Sequence, residues 1–92
     1  MKLVAIEPSR LKTKKWTAFY DNGQRVHFGA KGYTDYTLGA SDTKRQNYWN
    51  RHAKDLNVHN PVSPAYLAMY LLWGHSRSLK QNIAYYKEKF DL

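Results

Sequence analysis

The sequence predicts an α+β domain in which a small antiparallel β-sheet is followed by three packed α-helices. Two observations carry this prediction. Near the start of the chain, β-prone residues flank the triplet Asp21-Asn22-Gly23, which is typical of a β-hairpin turn. Further along, three segments have helical periodicity and begin at residues that cap helices. A length of 92 residues fits one domain.

The predicted hairpin spans residues 13–29 and follows an N-terminal strand and a basic connector at residues 1–12. Trp16, Ala18 and Tyr20 fall on one face of its first arm because side chains alternate along a strand. The opposite face also carries a ring. We therefore expect one face of the hairpin to meet the core and the other to meet a partner or a loop.

The first helix is predicted at residues 41–56, after an ordered loop at residues 30–40. Glycines and polar residues dominate the loop, which argues against regular structure there. Ser41 or Asp42 is the expected N-cap, because short oxygen-bearing side chains accept from the free N–H groups of a first turn.

The second helix is predicted at residues 63–73 and is apolar on nearly all sides, which indicates the buried centre of the domain. Ser63 is its expected cap, and Pro64 occupies the first position, where a missing N–H costs little. Gly74 is expected to end it as a residue in the left-handed conformation.

The third helix is predicted at residues 78–90. Ser78 and Gln81 have the spacing of a capping box, in which each side chain bonds the other residue's backbone. An apolar stripe recurs at helical spacing and consists of Leu79, Ile83, Tyr86 and Phe90.

The charge balance favours an anionic partner. Fifteen Lys and Arg residues against seven Asp and Glu residues give a net charge of +8 and a pI near 9.8. Nucleic acid, an acidic protein surface and anionic lipid fit this balance, and so does ordinary solvated charge. No run of 18 apolar residues occurs, so we expect no membrane insertion. The lack of cysteine fits a reducing compartment.

No enzyme motif is present, and we expect a non-enzymatic protein without a cofactor. The seven carboxylates are scattered, whereas a metal-dependent nuclease gathers several around its ion. A small nuclease that uses Asp35, His52 and His27 is the alternative within the enzyme class. The four histidines lack the spacing of a zinc site.

The stretch "RVHFGAKGYTDYT" has two interpretations. Gly29 and Gly32 can adopt positive φ, so backbone N–H groups would cradle a phosphate beside Lys31 while Tyr33 and Tyr36 stack on bases. In the alternative, the stretch is a tight exit from the hairpin. The tyrosines then fold into the core, and the aspartate between them closes an Asx-type turn.

The first helix carries cations, amides and rings over three turns, with few carboxylates to pair with them. Its cations can reach phosphates and its amides can reach base edges. The alternative is a solvated helix face, which usually carries more glutamate. The candidate nucleic-acid-binding residues are Lys14, Lys15, Lys31, Lys44, Arg45, Arg51, His52 and Lys54, and the candidate loop contacts are Gly29, Gly32, Tyr33 and Tyr36.

Several short motifs together resemble a family of small uncharacterised proteins of large double-stranded DNA viruses of algae and amoebae. They are His27-Phe28-Gly29, Gly32-Tyr33-Thr34-Asp35-Tyr36-Thr37, Arg51-His52, Asn60-Pro61 and Leu72-Trp73, in this order. The resemblance covers about residues 13–92. It implies a viral origin and action inside the host cell, in the cytoplasm or nucleus, or packaged in the virion. It supplies no mechanism.

The sequence thus predicts a small basic module that binds the phosphate backbone of nucleic acid, with Arg51 and His52 beside the 29–36 loop. A structural virion component, or a protein that contacts an acidic protein surface, is the alternative from another class. The choice between DNA and RNA and the oligomeric state stay open.

Overall fold

The structure is a computed structural model that describes all residues from 1 to 92. Its three antiparallel strands are β1 (Leu3–Pro8), β2 (Lys14–Tyr20) and β3 (Arg25–Ala30), in the order β1-β2-β3. The helices are α1 (Asp42–His52), α2 (Pro64–Leu67) and α3 (Leu79–Phe90). Short 3-10 helices lie at Tyr36–Leu38 and Ala53–Val58. The predicted α+β class is confirmed.

The hairpin pairs β2 with β3 in the register that the alternation of apolar residues predicts. Trp16 lies opposite Phe28, and Ala18 lies opposite Val26, so both pairs face the same side of the sheet. Gly23 closes the turn with a φ of +86°, a conformation that glycine adopts without strain. The sheet therefore offers one apolar face to the rest of the chain.

The core lies between this face of the sheet and the helices. It consists of Leu3, Ala18, Tyr20, Val26, Phe28, Leu67, Leu71, Leu72, Tyr86 and Leu92. The Tyr20 and Tyr86 hydroxyls are 2.8 Å apart, and the Tyr86 hydroxyl donates to the carbonyl of Pro61 at 2.6 Å. The prediction that the second helix is the buried centre is confirmed. No helix of the fold has both the length and the apolar character needed to cross a membrane.

Serines begin all three helices, as predicted: Ser41, Ser63 and Ser78 each accept from an N–H group of the first turn. The predicted capping box is only half formed. The Gln81 side chain accepts from the hydroxyl of Ser76 at 2.7 Å, and that hydroxyl accepts from the N–H of Ser78 at 3.0 Å. Ser76 thus takes the place that the capping box assigns to Gln81.

Two predicted helices change their hydrogen-bond pattern part-way. The first leaves the α conformation after His52 and continues as a 3-10 helix through Val58. The second becomes a π-helix from Ala68 to Leu72, and the N–H of Trp73 donates to the carbonyl of Ala68 at 3.1 Å. Segments of five or six residues fit the α, 3-10 and π periods alike, so the pattern of the sequence could not show either change.

Gly74 does not end the second helix in the left-handed conformation, and that prediction was wrong. Its role is close packing. A Cβ atom at this position would lie 2.3 Å from the backbone oxygen of Tyr70 and 2.7 Å from the Oδ1 atom of Asn82. Glycine therefore lets α3 approach the end of the π-helix.

Replacing Gly74 with alanine is expected to lower the free energy of unfolding by roughly 1–3 kcal/mol, because the added methyl group meets backbone that cannot yield easily. Urea denaturation followed by circular dichroism measures the change. Lys80→Ala, at an exposed position of α3, is the control and should stay within about 0.5 kcal/mol of the parent protein. Equal midpoints for Gly74→Ala and the parent would contradict the packing argument.

Candidate nucleic-acid interface

A cleft of about 250 Å³ opens between the end of the sheet and the helices. The β3 end and the following loop contribute Gly29, Ala30, Tyr33 and Thr34, and the helical side contributes Tyr48, Arg51, Ala68, Leu72 and Trp73. Lys15 also lines it. The cleft thus joins two regions that the sequence singled out separately, the glycine-rich loop and the basic helix.

One face of α1 forms the helical wall and extends beyond the cleft. Lys44, Asn47, Tyr48 and Arg51 stand at positions i, i+3, i+4 and i+7, so they lie on the same side of the helix. With Trp73 they line a second depression of about 260 Å³, which shares Tyr48, Arg51 and Trp73 with the cleft. The two depressions therefore form a continuous surface.

Aromatic rings are stacked on this surface. The rings of Tyr48 and Trp73 are nearly parallel, with centroids 4.4 Å apart and an interplanar angle of 8°. The His52 ring also packs against Tyr48, at 4.3 Å, and the guanidinium of Arg51 lies 5.8 Å from the Tyr48 ring centroid. Burial raises the pKa of the Tyr48 phenol, so it stays neutral and adds no negative charge to the surface.

The position of Trp73 follows from two backbone contacts. Its N–H closes the π-helix on Ala68, and its carbonyl accepts from the indole N–H of Trp49 at 2.6 Å. Trp49 belongs to α1, so this bond ties the end of the π-helix to the helix that carries Tyr48. This bond therefore fixes the position of Trp73 relative to Tyr48 on the helical side of the cleft.

Both glycines of the loop have a positive φ, which residues with a side chain rarely adopt. Gly29 has a φ of +80°, and a Cβ atom there would lie 2.8 Å from a methyl carbon of Leu72. Gly32 has a φ of +90° and open space around it, so it serves the turn alone. The N–H groups of Lys31 and Tyr33 donate to Thr13 and Ala30 within the protein. These two N–H groups are therefore not open to a phosphate, contrary to the predicted cradle.

The two tyrosines of the loop differ. Tyr33 is 73% exposed, so the interpretation that places it in the core was wrong. Tyr36 is half-buried and does not line the cleft; the guanidinium groups of Arg77 and Arg45 lie 4.2 and 5.6 Å from its ring centroid. Its hydroxyl donates to Asp42 at 2.6 Å, and this bond raises its pKa. Tyr33 alone is free to stack on a ligand.

Lys15 and Asp35 form a buried ion pair at the base of the loop. The ammonium lies 2.6 Å from a carboxylate oxygen, and the side chains are 12% and 2% exposed. Asp35 also accepts from the N–H of Leu38 and so caps the short 3-10 helix. This bears out a structural role for Asp35 and leaves Lys15 without a free charge for a phosphate.

Of the seven other candidate binding residues, three line the cleft or an adjoining depression and four do not. Lys44 and Arg51 line the surface, and Lys31 lines an adjoining depression of about 600 Å³ that shares Tyr33 with the cleft. Arg45 is committed elsewhere, because its Nε–H donates to the carbonyl of Gly74 at 2.7 Å. Lys14 and Lys54 line none of these depressions, and His52 lies 2.9 Å from Asp55.

Residues 4–52 match the model of a family described as a family of unknown function (DUF5754), which covers just over half of the chain. The protein belongs to DUF5754. No curated protein and no solved structure matches the chain. The matched range contains the sheet apart from Leu3, the loop and α1, so it includes Gly29, Tyr33, Tyr48 and Arg51 but not Trp73.

The residues expected for a nuclease do not meet in this DUF5754 member. No group of three or more histidine, aspartate or glutamate side chains is placed to hold a metal ion. The Nδ1 atom of His27 contacts the hydroxyls of Ser9 and Thr17, at 3.0 and 2.7 Å. Asp35 is held by Lys15 and His52 lies against Tyr48, so the trio is separated.

Two residues of the cleft were missed from the sequence, Tyr48 and Trp73. A signal existed for Tyr48, because it stands four residues after Lys44 and three before Arg51, on the face that those cations share. No local signal existed for Trp73. It follows an apolar run that reads as core, and only the π-helix and the bond from Trp49 place it at the cleft.

Proposed function

We propose that this protein is a non-enzymatic module that binds nucleic acid through the cleft and the adjoining face of α1. The observation that carries the proposal is the stacked Tyr48–Trp73 pair beside the exposed cations Lys44 and Arg51, with Tyr33 exposed on the other wall. Rings for bases and cations for phosphates are the two components of a nucleic-acid-binding groove.

The electrostatics support an anionic ligand. Only three of the fifteen Lys and Arg side chains form ion pairs with carboxylates, namely Lys2, Lys15 and Arg77. Lys31, Lys44 and Arg51 are therefore not neutralised within the protein. Their charge, in a chain of net charge +8, attracts a polyanion and releases its counterions on binding.

The chemistry of the α1 face divides between the two parts of a nucleotide. Lys44 offers a point charge to a phosphate, and Arg51 offers a planar set of donors that suits phosphate oxygens. Asn47 stands between them on the same face, and its amide can bond a base edge or a sugar. The rings add contacts that depend little on sequence, so we expect weak sequence preference.

Replacing both Lys44 and Arg51 with alanine is expected to weaken binding and to flatten its salt dependence. Each lost phosphate contact reduces the slope of log affinity against log salt concentration by about 0.7 for a single strand and about 0.9 for duplex DNA. Fluorescence anisotropy of a labelled oligonucleotide, at several salt concentrations between about 50 and 200 mM, measures the affinity and its salt dependence.

The matched control is Lys80→Ala with Lys87→Ala, which removes the same charge from α3, outside the cleft and the α1 face. The control should retain the parent slope. Equal losses in both double variants would mean that net charge alone governs binding, and a flat slope for the parent protein would exclude phosphate contacts.

The structural alternative predicts a different partner for the same surface. An acidic segment of a neighbouring protein would meet Lys44 and Arg51 while its apolar side chains meet the rings. The viral origin and the place in a virion, which the sequence resemblance implies, remain part of this alternative. Mass spectrometry of purified particles that finds the protein at fixed copy number, together with no affinity for oligonucleotides, would favour it.

A further inference from the structure

We propose that the cleft takes one unpaired base, so that the protein binds single-stranded nucleic acid in preference to duplex. This inference rests on the proposed function and adds the class of ligand. It follows from a juxtaposition: Tyr33, exposed on the loop, and the Tyr48–Trp73 stack line the same small cleft, and Arg51 stands at its rim, where the second depression begins.

The size of the cleft suits a single ring system. Its volume of about 250 Å³ lies just below the roughly 300–1,000 Å³ of pockets that hold drug-sized molecules. In a duplex the flat faces of the bases are covered by their neighbours, and moving a base out costs a few kcal/mol of stacking and pairing. An unpaired base enters such a cleft without that cost.

The rings of the cleft have contact area to offer. Trp73 stacks on Tyr48 and packs partly against the core, but no second ring or cation stacks on it within the protein, and it also lines the cleft. By contrast, the Tyr36 ring nearby is already covered by the guanidinium groups of Arg77 and Arg45. A base between Tyr33 and Trp73 would extend the stack that begins with His52 and Tyr48.

The polar groups around the rings fit a nucleotide better than a cationic ligand. Aromatic sites also bind quaternary ammonium groups, but Arg51 lines this cleft and would repel them. Thr34 is exposed at the cleft, and its hydroxyl is available to a base edge. Lys44 and Arg51 are separated by two turns of α1, about 10 Å along the axis, so they reach different phosphates of one strand.

Replacing Tyr33 with alanine is expected to weaken binding of a labelled single-stranded oligonucleotide by about 5- to 150-fold, the effect of removing one stacked aromatic side chain. Binding of the matched duplex should change less than twofold. Tyr33→Phe keeps the ring and should retain the parent affinity. Fluorescence anisotropy at one fixed salt concentration compares both oligonucleotides for the parent protein and all variants. Tyr85→Ala, at an exposed tyrosine of α3, is the control and should leave both affinities unchanged.

The outcomes separate the two proposals. Tighter binding of the single strand, lost in Tyr33→Ala and kept in Tyr33→Phe, supports the inference. Binding of the duplex as tightly as the single strand, with the salt slope still dependent on Lys44 and Arg51, overturns the inference and leaves the proposed function standing. Tyr33→Ala with parent affinity also overturns it. No binding of either oligonucleotide overturns both proposals.

Discussion

Replacing Asp35 with alanine is expected to lower the free energy of unfolding by roughly 3–5 kcal/mol, the range measured when one partner of a buried ion pair is removed. The reason is the ammonium group of Lys15, which lies 2.6 Å from the Asp35 carboxylate and would remain largely buried without a counter-charge. The variant also loses the cap of the 3-10 helix at Tyr36–Leu38. Guanidinium chloride denaturation measures the change.

Lys2→Ala is the matched control. It removes the ion pair with Asp91, whose two side chains are 57% and 95% exposed, so this surface pair contributes at most about 1 kcal/mol. A double variant, Lys15→Met with Asp35→Leu, removes both charges and should recover the part of the loss that comes from the unpaired Lys15 charge, because an apolar pair in such a position is often neutral or stabilising. The part that comes from the lost cap of the 3-10 helix should remain. A loss below about 1 kcal/mol for Asp35→Ala would contradict the burial of the Lys15 charge.

The same ion pair changes what is expected of Lys15 in binding. The sequence counts Lys15 among the cations that reach phosphate, but its ammonium is engaged by Asp35 under the loop. Lys15→Ala should therefore reduce stability, whereas Lys44→Ala should reduce the salt slope. Tyr33 stands on the loop that this pair anchors, so we expect the pair to affect the proposed binding only through the position of that ring.

Local chemistry explains the part of the fold that the sequence predicts. The triplet Asp21-Asn22-Gly23 encodes a turn within three residues, and Ser41, Ser63 and Ser78 each encode a helix start within one turn. These signals depend on neighbours along the chain, so they can be read without the tertiary structure. The order and type of the main elements follow from them.

The parts that the sequence does not predict depend on contacts between distant residues. Glycine is needed at position 74 because Tyr70 and Asn82 approach it closely, and Asn82 lies eight residues further along the chain. The second predicted helix becomes a π-helix from Ala68 onward. The carbonyl of Trp73 at its end accepts from the indole N–H of Trp49, 24 residues earlier. Periodicity has no access to such contacts, because each element alone fits several helical patterns.

The sequence predicted only part of the candidate site, again because the rest depends on contacts between distant residues. Lys44 and Arg51 lie close in sequence on one face of α1, and their helical spacing is visible. The sequence does not show which other cations are free to bind a ligand. Lys15 pairs with Asp35, and Arg45 bonds the carbonyl of Gly74, 29 residues away. Composition counts cations, and only tertiary contacts show which of them remain available.

Asn82 links the end of the π-helix to α3, and its amide is fully buried. The Nδ2 atom donates to the carbonyls of Leu71 and Ser76 at 3.0 and 2.8 Å, and Oδ1 accepts from the N–H of Ser76 at 3.2 Å. One side chain therefore satisfies three backbone groups of the 71–76 segment, which contains Trp73.

Replacing Asn82 with alanine is expected to cost roughly 1–3 kcal/mol for each buried backbone group left without a partner, hence about 3 kcal/mol or more in all. Urea denaturation measures this loss. Asn82→Asp should not rescue it, because a carboxylate has no N–H to donate to the two carbonyls. Glu88→Ala, at an exposed position of the same helix, is the control and should stay within about 0.5 kcal/mol of the parent protein. Because the segment carries Trp73, folded Asn82→Ala should also bind the single-stranded oligonucleotide more weakly than the parent protein does. A variant as stable as the parent protein would refute the bridging role of Asn82.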